Sequence, residues 1–147
     1  MYCHRNRKGK AGVKERVRAE LIAGYTDKVK PVDEGSTRML CVLTSAVGCD
    51  SRSGCQGTPV EDLNIPQFFK IDTEKNTMTP VGVAEEVAAV WATRIKDLQR
   101  MDGKIFLQGI EVRGWSIVIC EETGKLTLTA SGDEEAFVLF GACIPHP

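Results

Sequence analysis

The sequence is short of the groups by which a chain usually declares its chemistry. Only two of its 147 residues are histidine, His4 and His146, and they stand at the two ends with no nucleophile beside either. Histidine-dependent catalysis needs an imidazole within hydrogen-bond reach of the reacting group, so this distribution argues against it. No glycine-rich loop follows a strand, because Gly9-Lys10-Ala11-Gly12 has neither the spacing nor the preceding strand of a phosphate cradle. The order of acids and glycine that builds an EF-hand is missing, and none of the six cysteines stands in Cys-x-x-Cys spacing. Catalytic residues, metal ligands and cofactors are therefore all expected to be none, and the chain reads as a non-enzyme. Net charge is also nearly absent, at -1.

That balance hides a split. Residues 1–38 carry ten Lys and Arg against five Asp and Glu, and the remainder carries nine against fifteen. A basic arm is joined to an acidic body. Between His4 and Arg18 the only acid is Glu15. Val13, Val17, Leu21 and Tyr25 recur every four residues, which predicts a short amphipathic helix over about 13–23. Phosphate contact would suit such an arm, but base-reading or stacking groups are scarce within it, so nucleic acid is not the expected partner.

Residues 39–49 admit two readings. Met39 to Val47 is a run of nine uncharged residues, too short for the roughly 20 that span a bilayer but long enough for the apolar region of a signal peptide. Ala46-Val47-Gly48-Cys49 resembles the lipobox of bacterial lipoproteins, which makes Cys49 a candidate for lipid attachment and the only expected link to a membrane. Val42, Thr44 and Val47 are β-branched, however, and a buried strand fits the same run equally well. Residues 50–66, with Gly54, Gly57, Pro59 and Pro66, read as a linker.

Residues 67–147 read as the β-domain. Phe68 to Ile71 and Thr77 to Val81 flank a polar turn and predict a hairpin. A short helix is expected near 83–90 and a strand over about 92–99, with Asp102-Gly103 as a hairpin turn after it. Strands follow at about 104–110, 115–121, 125–130 and 135–142, joined by short turns bearing Gly and charge, which makes them an antiparallel meander. The last strand is apolar on both faces, so the sheet is expected to curl into a partial barrel. The fold class is thus mainly β, with one short helix and a basic helical arm.

Trp91 and Trp115 are candidates for a ligand-binding face, since indole offers a large apolar surface with one donor. Packing in the core or at its rim is the plainer assignment. Acids gather at Glu121-Glu122 and Asp133-Glu134-Glu135, where solvated turns are the ordinary explanation.

Thr93 to Leu98, Asp102 to Gly109, Trp115-Ser116, Glu122-Thr123-Gly124 and the terminal Phe140-Gly141-Ala142-Cys143 resemble a group of small exported proteobacterial proteins of unknown function. The resemblance covers about half of the chain and implies fold and export. It implies no chemistry. The function expected is that of a binding or inhibitory module in the periplasm or cell envelope, with a protein or small ligand as partner. The alternative is a cytoplasmic β-domain whose basic arm binds nucleic acid or a protein. Export would permit disulfides. Cys55 opens the β-domain and Cys143 closes it, so these two are the expected pair, with Cys49 and Cys143 next. Cys120, within a strand, is expected to be a buried free thiol.

Overall fold

The computed structural model describes residues 36–111 and 113–146; the basic arm up to residue 35 and its expected helix lie outside them. Ten strands form one antiparallel sheet. In chain order they are β1 (Arg38–Asp50), β2 (Gly54–Thr58), β3 (Phe68–Asp72), β4 (Thr77–Pro80), β5 (Thr93–Arg94), β6 (Asp97–Met101), β7 (Lys104–Glu111), β8 (Arg113–Cys120), β9 (Lys125–Ser131) and β10 (Glu135–Pro145). One helix, α1 (Glu85–Trp91), lies between β4 and β5, and a 3-10 turn spans Val60–Leu63.

Across the sheet the order is β5-β4-β3-β1-β10-β9-β8-β7-β6, and β2 pairs with the second half of β1. The segment 39–49 is therefore a strand, and it is the longest in the sheet. Its Met39, Cys41 and Leu43 point inward and are almost fully buried, as period-two alternation requires. At Thr44 one residue is added: Leu43 faces Gly141, but Ser45 faces Phe140. The bulge shifts the alternation by one place, so that Ala46 turns inward, and the Thr44 hydroxyl donates to the Phe140 carbonyl at 3.2 Å. Opposite the bulge, a Cβ on residue 141 would collide with the Val42 carbonyl oxygen. Glycine is needed there for close approach, and the added twist helps to curl the sheet.

The curl brings the two edges of the sheet together at one end. Only Ile95 and Lys96 separate β5 from β6; Ile95 donates its N–H to Asn76 in the β3–β4 turn and Lys96 donates to Gln108 in β7, each at 2.8 Å. The result is a half-barrel whose inward residues stack in rows, as in closed barrels. One row contains Ile105, Ile119 and Leu126, the next Leu107, Ile117 and Leu139, nearly all sealed from water. Full burial of each such side chain stabilises the fold by about 1.5–3 kcal/mol before entropy is counted.

The turns follow local chemistry. Asp102 and Gly103 both have positive φ, 53° and 73°, the geometry of a two-residue type I′ hairpin. Asp72 closes the β3–β4 turn by accepting the N–H groups of Glu74 and Lys75 at 3.0 and 2.9 Å. Asp50 does the same between β1 and β2, accepting from Arg52 and Ser53 at 2.8 and 2.7 Å.

Three expectations are corrected here. Residues 50–66 are not a linker: they supply β2 and the 3-10 turn, whose Val60 is buried in the core. The strand expected over 92–99 is two short pieces, because the chain must cross from one sheet edge to the other between them. Cys55 and Cys143 are not joined, since Cys143 pairs with Cys41 and Cys55 with Cys49. Each bridge links directly opposed residues of neighbouring strands, with Cα atoms 4.1 and 4.0 Å apart. Cys41 and Cys49 are eight residues apart on β1, which separates the bridges by roughly 25 Å of strand and excludes Cys49–Cys143 as well. Cys120 is disulfide-bonded too, and not the free thiol expected of it.

A candidate ligand-binding cleft

One end of the half-barrel is filled and the other is open. β5 covers only Thr77 and Met78 of β4, which leaves Thr79 and Pro80 paired with β3 on one side and with no strand on the other. Beside this gap lies a cleft of about 510 Å³, within the range of small-molecule sites. Its floor is formed by Leu43, Phe69, Leu128 and Leu139, inward residues of β1, β3, β9 and β10. Its walls include Leu63, Asn64, Ile65 and Pro66 after the 3-10 turn, Met78, Thr79 and Pro80 of β4, and Phe137 of β10.

Trp91 and Trp115 both line this cleft. They line it for different reasons. Trp115 faces Gly109 across the β7–β8 pair, and its indole occupies the space a Cβ on residue 109 would need. The missing side chain lets the ring lie against the β7 backbone and keeps it half-buried. Trp91 ends α1, a helix with no buried residue, and is 41% exposed. Val83, Val87 and Val90 nearby are also exposed. The helix thus packs beside β4 and contributes one aromatic side chain to the cleft.

Polar groups sit at the rim. Arg113 donates from Nε to Glu135 Oε1 at 2.6 Å, its Nη2 lies 2.5 Å from the same oxygen, and its guanidinium is 5.1 Å from the centre of the Phe137 ring. The cation is thereby fixed and largely neutralised. Glu111, opposite Arg113 at the end of the hairpin, is exposed and lines the cleft as well. Thr93, which faces Met78 across β4 and β5, completes the lining, and its Oγ1 is buried without a hydrogen-bond partner.

The two acidic groups noticed in the sequence do not converge. Successive turns of a meander lie at opposite ends of the sheet, so Glu121 pairs with Arg100 at 3.3 Å at the filled end, whereas Glu135 belongs to the rim. No group of three or more potential metal ligands occurs among the described residues. The carboxylates held below their ordinary pKa are turn residues: Asp50 through the Ser53 hydroxyl and the N–H groups of Ser53 and Arg52, and Asp72 chiefly through the Lys75 N–H.

Cys49 and Cys55 form a bridge away from the cleft, and Cys49 as a lipid-bearing first residue is incompatible with this fold. Cleavage before it would remove most of β1, with Met39, Cys41, Leu43 and Ala46 of the core and the partner of Cys143. The disulfides fit an oxidising compartment. No helix among the described residues is long and apolar enough to cross a membrane.

No family model, curated protein or solved structure matches the chain. The site therefore stands on its geometry. Sequence pattern had singled out Trp91 and Trp115 but missed Phe137, Leu139, Leu63 and Ile65, which lie far apart in the chain and read as ordinary core or linker. Gly109 was the available signal for the posture of Trp115, legible only once the register of β7 and β8 is known.

Proposed function

We propose that the protein is an exported binding module of the periplasm or cell envelope that holds a small, mainly apolar molecule in the open end of the half-barrel. The observation that carries this reading is the 510 Å³ cleft with Trp91 and Trp115 on its walls. The indole is 41% exposed beside a hydrophobic hollow, and a ligand in the hollow would cover it. The disulfides support export, as does the resemblance to small exported proteobacterial proteins. They favour it over a cytoplasmic β-domain with a nucleic-acid-binding arm.

Tryptophan fluorescence tests the reading. Titration with N-phenyl-1-naphthylamine is expected to quench the emission saturably, with energy transfer to the probe. Trp91→Ala leaves the core untouched and removes an exposed apolar surface on the order of 100 Å², so it is expected to weaken binding by roughly 2–3 kcal/mol. Linear, unsaturable quenching that is identical in the variant would refute the proposal.

A further inference from the structure

Cys120 is held in a disulfide, and the count of cysteines leaves one candidate in the chain for the other half. No cysteine among the described residues is free, and Cys41 is joined to Cys143 and Cys49 to Cys55. The chain has six cysteines, so Cys3 of the basic arm is the one that remains. The place of Cys120 agrees with this pairing. Ile117 and Ile119 point into the half-barrel, so Cys120 belongs with Ser116 and Val118 on the outer face of β8. Val118 and Phe106 beside it on that face are partly exposed, whereas Cys120 is only 7% exposed. Burial on the outer side of a one-layered sheet calls for cover, and a bonded partner supplies it.

The arm also joins the sheet near this cysteine. The carbonyl of Ser36, the first described residue, accepts a hydrogen bond from Arg100 Nη2 at 2.6 Å, and Nη1 of the same guanidinium lies 3.3 Å from Oε1 of Glu121, the residue after Cys120. Residues 4–35 span about 100 Å when fully extended, so Cys3 reaches back without strain. Being tethered, it also has a higher local concentration at Cys120 than a second copy of the chain would. The surface beside Cys120 suits the arm. Phe106, Val118, Thr127 and Phe140 stand opposite one another across β7, β8, β9 and β10 on the outer face. Val13, Val17, Leu21 and Tyr25, recurring every four residues, would give a helical arm an apolar stripe to lay on them.

We infer that Cys3 and Cys120 form a third disulfide, which fastens the basic arm over the outer face of the sheet with its apolar stripe along Phe106, Val118 and Phe140. The bond forms by exchange with an oxidising disulfide: the two thiols lose two protons and two electrons, and the donor disulfide is reduced to a dithiol. Tryptic mapping of the full chain, alkylated but unreduced, tests the bond. Residues 1–5 are expected to be linked to residues 114–125, while the other four cysteines fall on residues 39–52, 53–70 and 126–147. Cys3→Ser is expected to release one thiol, alkylated within residues 114–125. In the wild type, nuclear Overhauser contacts are expected between the Val17 and Leu21 methyl groups and the rings of Phe106 and Phe140. Alkylated Cys120 in the wild type, or residues 114–125 linked to their own copy, would overturn the bond. A bond between residues 1–5 and 114–125 without those contacts would overturn the docking of the arm.

Discussion

At the residue scale, the posture of Trp115 depends on an atom that is missing from its neighbour. Gly109→Ala would place a Cβ inside the indole, and the ring is the part free to move, since the cleft lies beside it. Overpacking of this kind costs typically about 1–3 kcal/mol, so the urea midpoint is expected to fall by that equivalent. Probe affinity should fall with it, because the displaced ring occupies the cleft. An unchanged urea midpoint with unchanged affinity would show that the indole does not lean on Gly109. Residues also set the acid limit. Asp50 and Asp72 have folded pKa values below the ordinary 3.8, so their contribution is present above the unfolded value and lost as pH falls through the folded one. Thermal midpoints should be level above about pH 5 and decline below about pH 4. In the double variant Asp50→Asn, Asp72→Asn that acid limb is expected to flatten. Side-chain alternation made Ile117, Ile119 and Leu126 legible as core from sequence, since one register of a half-buried strand decides many residues together. The unpaired hydroxyl of Thr93 was not legible, because it depends on what lies across β4 and β5.

At the scale of elements, β1 is the segment that sequence described least well and on which the sheet most depends. Its apolar run satisfies a signal peptide and a buried strand alike, and only its pairing with β10 on one side and with β2 and β3 on the other resolves the choice. The meander from β7 to β10 was legible because each turn carries glycine and charge, and short turns leave no alternative to antiparallel neighbours. The pairing of cysteines was not, since an apolar run that suits a signal peptide equally well hides the strand that sets Cys41 opposite Cys143. The two bridges now make opposite predictions. Cys41 and Cys143 are 1% and 2% exposed and close a separation of 102 residues, whereas Cys55 is exposed and its bridge to Cys49 spans six. Under mild reductant, alkylation followed by mass measurement should find Cys49 and Cys55 labelled before Cys41 and Cys143. Replacing both members by serine is expected to cost up to about 4–5 kcal/mol for the long bridge and roughly 2–2.5 for the short one, on the chain-entropy account. Equal losses would argue that strand pairing, and not loop closure, sets the contribution of each.

For the molecule as a whole, the distribution of packing is uneven by construction. Rows of inward residues fill the half-barrel at the end where β5 and β6 are linked, and the rows thin out where β4 loses its neighbour. A cleft follows from that topology, and the aromatic residues on its walls turn it from a packing defect into a surface suited to a ligand. The most direct measurement is the change in backbone amide resonances of the isotopically labelled protein as N-phenyl-1-naphthylamine is added. Saturable shifts concentrated at Leu63 to Ile65, Trp91 to Thr93, Trp115 and Phe137, with the filled end at Ile105, Ile119 and Leu126 unmoved, are the predicted result. Shifts spread over the outer face of the sheet, or none at saturating probe, would contradict it.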